Sequence, residues 1–148
     1  MKAHVFLDTG IVLDFFLGRD PAMLASARLL SLAAKGQIRV SVSSVSLANI
    51  AFLLGRTGGR KNVERDILEL LDFVKVVPCS EAMFAKATEV IIDDFENALQ
   101  YVCALHAKCT LFVSNQKYAF ASSTIPVMDS AEAILTIKES WRCDDRKL

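Results

Sequence analysis

The chain has 148 residues, 53% of them hydrophobic, which is enough for one globular domain that buries its own core without disulfides or metals. Its 17 basic residues balance 17 acidic residues, which excludes a global field that draws the protein to nucleic acid or membrane, and the neutral balance favours self-association. Because the apolar stretches are shorter than the roughly 18 residues that span a bilayer, and no basic-then-apolar signal opens the sequence, we expect a soluble, cytoplasmic protein without a membrane contact.

The four cysteines do not follow a metal-binding or redox pattern. Cys79, Cys103, Cys109 and Cys143 form no CxxC pair and have no Cys/His spacing of the zinc type. We therefore expect buried structural thiols in a reducing compartment, and not a zinc site.

The first predicted strand runs directly into a carboxylate. Residues 5–7 are apolar, Asp8 and Thr9 follow, and the apolar residues after Gly10 are spaced for a helix. A carboxylate at the junction of a buried strand and a helix occupies the place where α/β proteins carry out chemistry. The alternative is that Asp8 only caps the helix.

The next elements continue the alternation of helix and strand. A helix is predicted over residues 22–34, with Asp20 as its N-cap and Pro21 at its first position. Residues 38–42 alternate between apolar and polar, which indicates a strand, and Ser43 then caps a third helix.

A glycine-rich basic segment follows that helix. Residues 55–61 contain three glycines together with Arg56, Arg60 and Lys61, and are predicted to form a loop between two helices. Such a loop can contact a phosphate backbone, although a flexible connector with solvated charges is the simpler interpretation. The segment lacks the Gly-Lys-Ser/Thr ending of a P-loop.

The second half of the chain repeats the same alternation, and its last residues are polar. We expect the domain to cover residues 1–138 and a polar C-terminal tail, residues 139–148, to fray. The predicted elements are a helix over residues 62–73, a strand over 74–77, helices over 80–90 and 94–106, strands over 111–114 and 125–127, and a helix over 131–137.

This order of elements predicts a three-layer α/β/α sandwich with a central, mainly parallel sheet, because parallel neighbours need crossover helices. Asp8 and the polar segments 43–49 and 114–116 each follow a predicted strand. Functional crevices of such sheets lie at the carboxyl ends of the strands, so we expect these three segments to converge.

Four motifs taken together resemble a PIN domain, of the branch related to VapC-type toxins and small bacterial PIN proteins. The resemblance covers residues 3 to 137 and implies a Mg²⁺- or Mn²⁺-dependent endoribonuclease with three or four acidic residues around the metal. It also implies RNA as substrate, a homodimer and, in toxins, an antitoxin partner. The motifs are residues 5–9 with Asp14 downstream, residues 43–50, residues 94–101, and residues 113–116 with Phe120.

The resemblance also implies where the site lies, and most of its carboxylates are replaced by amides. Asp8 matches the first acidic residue of the family, whereas the second falls on Asn49, which recurs as asparagine in this branch. The third falls on Asn97 and the fourth on Gln116. The implied metal site is thus Asp8, Asn49, Asn97 and Gln116, with Asp8 and Asn97 catalytic. The predicted RNA contacts are Thr9, Arg56, Arg60 and Lys61.

An amide oxygen can bind Mg²⁺ but brings no charge, so weakened activity is expected. Asp14, Asp93, Asp94 and Glu96 are nearby acids that could compensate for the missing carboxylates. Glu96 is rotated about 100° from Asn97 on a helix and is expected to point elsewhere.

Each amide also has a structural alternative, and so has the whole protein. Asn97 can serve as the third residue of a capped helix, Asn49 as a buried amide that orients its neighbours, and Gln116 as a solvated loop residue. The alternative for the protein is a catalytically inactive PIN fold that binds RNA or protein. A flavodoxin- or receiver-like module is disfavoured because no phosphate loop or acidic pair accompanies Asp8.

Overall fold

The protein is built on a fully parallel sheet. A computed structural model describes residues 2–147. Within this range the strands are β1 (His4–Leu7), β2 (Arg39–Ser43), β3 (Val74–Val77), β4 (Leu111–Val113) and β5 (Val127–Met128). Their spatial order is β3-β2-β1-β4-β5, and every neighbouring pair is parallel.

Helices connect the strands in the order the sequence predicts. A short 3-10 helix, Lys117–Phe120, follows β4. The α-helices are α1 (Thr9–Phe16), α2 (Ala22–Ala34), α3 (Ser44–Gly58), α4 (Arg60–Leu71), α5 (Glu81–Ala87), α6 (Phe95–His106) and α7 (Ser130–Arg146).

Two apolar cores lie on opposite faces of the sheet. Side chains of a strand alternate between its faces, so Val5 and Leu7 point into one core and Phe6 into the other. Helices α1 to α4 and α7 contribute to the first core, and α5 and α6 to the second. Phe6 stacks on Phe112 of β4 with ring centroids 5.2 Å apart. The predicted three-layer α/β/α sandwich is confirmed.

The centre of the sheet contains a topological switch point. The chain builds β1, β2 and β3 toward one edge, and then crosses through α5 and α6 to place β4 on the other side of β1. The backbone of Asp8 donates to Val113 O at 3.0 Å, which joins the carboxyl ends of β1 and β4. Ligand sites of open parallel sheets form at such a junction.

The glycine-rich segment is not a loop. Helix α3 continues through Gly58 and α4 begins at Arg60, so Gly59, with φ of 75°, is the single residue between them. A glycine in a helix costs only about 1 kcal/mol relative to alanine, a cost that the packing of α3 against α4 offsets here.

Other helix boundaries were also predicted incorrectly, and α5 ends at Ala87 instead of residue 90. Asp20 does not cap α2, since the residue before this helix is Pro21 and no side chain caps it. Helix α7 continues past residue 137 to Arg146, because Trp141 packs on the first core and anchors the polar segment. Leu148, the last residue of the predicted tail, lies outside the described residues. No helix between residues 2 and 147 has the length and apolarity that a membrane crossing requires.

Candidate active site

A cleft of about 660 Å³ opens at the carboxyl ends of β1 and β4. The first turns of α1 and α6, the middle of α3 and the segment after β4 form its walls. The three polar segments predicted to converge do converge here. Among the residues that line the cleft are Asp8, Asn49, Glu96, Asn97 and Gln116.

Asp8 is held in place at the base of the cleft. Its Oδ1 accepts from the backbone N–H of Thr9 at 2.8 Å, and its Oδ2 accepts from the hydroxyl of Ser114 at 2.8 Å. Burial raises the pKa of Asp8, the two hydrogen bonds oppose this effect, and the nearby charges of Glu96 and Asp94 raise the pKa further. Asp8 therefore caps α1 and also carries an incompletely compensated charge.

Glu96 enters the cleft, contrary to the sequence-based expectation. Its Oε1 accepts from Asn49 Nδ2 at 3.0 Å and from Thr9 Oγ1 at 3.3 Å. The 100° rotation from Asn97 is real, but both residues lie in the first turn of α6, whose N-terminus faces the cleft. Neighbouring positions at a helix end can approach one cleft from two sides, so the rotation does not exclude Glu96.

A hydrogen-bonded group supports Glu96 from beneath. The Thr9 hydroxyl lies 2.7 Å from Ser46 Oγ and 3.4 Å from Gln100 Nε2. Ser46 and Gln100 are both buried, and Gln100 Oε1 is the buried side-chain polar atom that lacks a partner in residues 2–147. The position of Glu96 therefore depends on α1, α3 and α6 together.

Asn97 and Gln116 contact each other in the wall of the cleft. Asn97 Nδ2 donates to Gln116 Oε1 at 3.3 Å, while the backbone N–H of Asn97 donates to the helix cap Asp94 at 2.9 Å. The side chain of Asn97 therefore does not close a capping box. Asn49, for which the alternative was a buried amide that orients its neighbours, is only half-buried, and it donates to Glu96.

Asp14 is neutralised at the rim of the cleft. Arg19 Nε lies 2.9 Å from Asp14 Oδ1, and Asn115 Nδ2 donates to Asp14 Oδ2 at 2.8 Å. Both oxygens of Asp14 are therefore already engaged, one by a cation and one by an amide.

Comparison with known proteins places this architecture in a family. A model described as "PIN domain" matches residues 4–117. The chain belongs to the PIN domain family. It is 27% identical over 133 residues to ribonuclease VapC1 of Aquifex aeolicus (strain VF5), a match that covers 86% of this chain and 91% of that protein.

Solved structures share the fold of this PIN domain. VapC20 of Mycobacterium tuberculosis, a toxin that cleaves the Sarcin-Ricin loop, superposes with a TM-score of 0.63 at 18% identity, covering 80% of this chain and 94% of that chain. A toxin-antitoxin complex from Klebsiella pneumoniae superposes with a TM-score of 0.63 at 13% identity, covering 85% of this chain and 97% of the matched chain.

The three basic residues predicted to contact RNA do not line this PIN domain's cleft. Arg56 is in the last turn of α3, with its guanidinium 5.8 Å from the ring centroid of Phe52. Arg60 is paired with Glu64 at 2.7 Å, and Lys61 is exposed in the first turn of α4. Phe52 itself is 67% exposed and lines both the cleft and the neighbouring groove that contains Arg56 and Arg60.

Sequence reasoning missed three residues of the site. Ser114 was noted only as part of a polar segment, Glu96 was expected to point away, and Phe52 was not singled out. Their roles depend on contacts between distant segments, since Ser114 is 106 residues from Asp8 and Glu96 is 47 residues from Asn49. One local feature of the sequence could have indicated Glu96, which is its position in the first turn of a helix capped by Asp94.

Proposed function

We propose that this PIN domain is a Mg²⁺- or Mn²⁺-dependent endoribonuclease whose reaction takes place in the cleft around Asp8. The observation that supports this most strongly is the position of Glu96. It restores a second carboxylate to a site in which the expected acidic positions carry amides.

The donor set fits a weakly held divalent cation. Within residues 2–147 no three His, Cys, Asp or Glu side chains form a metal-binding group, so the ligands proposed here are two carboxylates and neutral amides. Mg²⁺ is commonly held by one or two carboxylates and retains several waters. The charges of Glu96 and Asp94 repel the Asp8 carboxylate and raise its pKa, and a cation would relieve that repulsion.

Each residue of the cleft has a distinct proposed task. Asp8 and Glu96 hold the metal as anions, while Asn49, Asn97 and Gln116 offer neutral oxygens. The chemistry supplied by the bound cation is activation of a water and stabilisation of charge on the phosphodiester. We assign Asp8 and Asn97 to the catalytic centre, as the family resemblance implies.

Thr9 acts as a positioning residue in this proposal. Its hydroxyl already contacts Ser46, Glu96 and Gln100, which favours a role in holding Glu96 over direct RNA binding.

For RNA we propose a path that leaves the cleft over Phe52 toward Arg56. An exposed ring can stack on a base, and a cation beyond it can contact phosphate without reading sequence. Arg60 and Lys61, in the first turn of α4, add two basic side chains next to Arg56, although Arg60 forms an ion pair with Glu64.

An antitoxin partner, a homodimer and a cytoplasmic location complete the proposal. The similarity to a toxin-antitoxin complex supports the partner. Exposed Leu24, Leu53 and Leu68 on α2, α3 and α4, together with the neutral net charge, support self-association. Light scattering after size exclusion tests the homodimer, because a mass of one chain at micromolar concentration would contradict it.

The function is tested by RNA cleavage in the presence of Mn²⁺ with wild type, Asp8→Asn and a control, Asp93→Asn. Asp93 is an exposed acid that does not line the cleft, so its loss should leave cleavage unchanged. We expect slow cleavage in wild type and the control, and no cleavage in Asp8→Asn or after chelation. If all three bind RNA and none cleaves it with Mn²⁺ or Mg²⁺, the protein is the inactive binding module instead.

A further inference from the structure

Two cysteines outside the cleft lie side by side. Cys79 follows β3 and Pro78, Cys103 lies in α6, and their Sγ atoms are 3.2 Å apart although the residues are 24 positions apart in sequence. Both are free thiols. A disulfide has an S–S bond of about 2.05 Å, so the two sulfurs need to approach by only about 1 Å to form one.

Cys79 is the reactive member of this pair. It is half-buried, so a small oxidant can reach it. Burial alone would raise the pKa of the Cys79 thiol, but the Ser44 hydroxyl, the backbone N–H groups of Val45 and Ser44, and the contact with Cys103 outweigh burial and lower it. The Ser44 hydroxyl oxygen also accepts from the backbone N–H of Cys79 at 3.0 Å, so Ser44 and Val45 lie beside the thiol. These groups belong to the first turn of α3, where the helix dipole favours a thiolate.

Cys103 has the complementary properties. It is fully buried, and burial together with the neighbouring Cys79 raises its pKa, so it stays protonated. Its Sγ also lies 3.9 Å from Met83 Sδ, which places it in a sulfur-rich part of the second core. An accessible thiolate beside a protonated thiol is the arrangement in which oxidation of the first is resolved by the second.

We propose that Cys79 and Cys103 are a site of reversible oxidation by peroxides that ends in an intrachain disulfide. The Cys79 thiolate attacks one oxygen of hydrogen peroxide, the O–O bond breaks, and the hydroxide that leaves takes a proton to become water. Cys103 then gives its proton to the sulfenic hydroxyl as its sulfur attacks Cys79, and a second water leaves. The pair thus loses two electrons to the peroxide.

The cross-link would join two elements that also support the cleft. Cys103 lies two turns along α6 from Glu96 on the same helix face, and Gln100 lies between them. Cys79 contacts the first turn of α3, which contains Ser46. The oxidation site itself does not depend on whether the cleft cleaves RNA.

The test is peptide mapping of the reduced full chain after limited treatment with hydrogen peroxide and alkylation of the remaining thiols. We expect a Cys79–Cys103 linked peptide that dithiothreitol reverses, formed at least about tenfold faster than exposed Cys143 is oxidised, because the thiolate is the reacting form. Cys143→Ala is the matched control and should leave the linked peptide unchanged.

Two variants separate the steps. In Cys103→Ala, Cys79 should accumulate as a sulfenic acid that reacts with dimedone, because no thiol resolves it. Ser44→Ala keeps both cysteines but removes the hydroxyl that lowers the pKa of Cys79 and accepts from its backbone N–H, and we expect slower formation of the linked peptide. Circular dichroism of each variant shows whether it is folded. If Cys103→Ala is unfolded, the rate of disulfide formation in Ser44→Ala serves as the test in its place.

Three results would overturn the proposal. The first is oxidation of Cys143 while Cys79 and Cys103 both remain free thiols, which are alkylated after the reaction is stopped and the protein is unfolded. The second is conversion of Cys79 to a sulfinic acid with Cys103 still a thiol. The third is a pair that resists peroxide because both thiols hold a soft metal ion, which native mass spectrometry would reveal as an adduct lost in Cys79→Ala.

Discussion

Replacement of Ser114 with alanine tests how much the fixed position of Asp8 contributes to metal binding. Ser114 is fully buried, its hydroxyl donates to Asp8 Oδ2 at 2.8 Å, and its oxygen accepts from the backbone N–H of Gln116 at 3.0 Å. A hydrogen bond to a charged group contributes about 1.5–3 kcal/mol, and the part of this that the metal-bound state alone depends on sets an upper limit of roughly a 10- to 150-fold increase in the Kd for Mn²⁺.

The assay is calorimetric titration of Mn²⁺ into wild type, Ser114→Ala and a control, Ser26→Ala. Ser26 is equally buried, and its hydroxyl pairs with Ser130 at 3.3 Å away from the cleft, so the control loses a buried hydroxyl without touching Asp8. Loss of the Ser114 bond also raises the pKa of Asp8 further, so the defect should grow as the pH falls. Equal Mn²⁺ affinity in Ser114→Ala and wild type would show that the Ser114 bond does not prepare Asp8 for the metal.

Three further variants test other parts of the account. Asn97→Asp adds the carboxylate that the amide lacks, and should tighten Mn²⁺ binding and speed RNA cleavage; weaker binding in calorimetry would place the metal elsewhere. Phe52→Ala removes about 1–3 kcal/mol of base stacking, so the Kd for RNA, measured by fluorescence anisotropy without metal, should rise roughly 5- to 150-fold while Mn²⁺ binding stays unchanged. An unchanged RNA affinity would remove Phe52 from the path. For Asp8→Asn, the direction of the change in folding stability follows from the pKa of Asp8, which burial and the charges of Glu96 and Asp94 hold above 3.8. The folded state then binds this proton more tightly than the unfolded state, so stability falls as pH rises from 3.8 through the raised pKa. Thermal denaturation should show a higher melting temperature for metal-free Asp8→Asn than for wild type at neutral pH, with the difference shrinking in acid. A lower melting temperature at neutral pH would contradict this.

The parts of the fold set by local signals could be predicted from the sequence. The strand that leads to Asp8, the helix over residues 22–34, and the caps Ser43 and Asp94 all appear where the pattern placed them. Apolar periodicity and capping residues act within a few positions, so a single sequence contains the information.

Other features depend on packing between distant segments and could not be predicted in this way. Residues 55–58 are helical because α3 and α4 pack together, and glycine content alone pointed to a loop. Trp141 extends α7 by contacting a core that the local polarity of the segment does not reveal. Likewise, the spacing of Cys79 and Cys103 contains no sign of their contact.

The site, like the fold, has features that could be predicted from the sequence and others that depend on contacts between distant segments. Motif order pointed to one cleft for Asp8 and the three amides. Asp8 and Gln116 follow strands and Asn97 lies at a helix start, whereas Asn49 reaches the cleft from the middle of α3. The orientation of Glu96 did not, since it depends on where Asn49 of α3 and Thr9 of α1 meet the end of α6. A helical wheel describes the middle of a helix, whereas a cleft at a helix end is reached from more than one face.

We propose that Glu96 supplies the second carboxylate of the metal site, and the sharpest test is calorimetric titration of Mn²⁺ into wild type, Glu96→Gln and Asp93→Asn. Glutamine keeps the size of the side chain and an oxygen that can accept from Asn49 and Thr9, so the change removes little besides the charge. We predict that Glu96→Gln weakens Mn²⁺ binding about tenfold or more, because ligand charge sets the affinity for hard cations, and that Asp93→Asn binds like wild type. Measurable Mn²⁺ binding in wild type that is unchanged in Glu96→Gln would contradict the account.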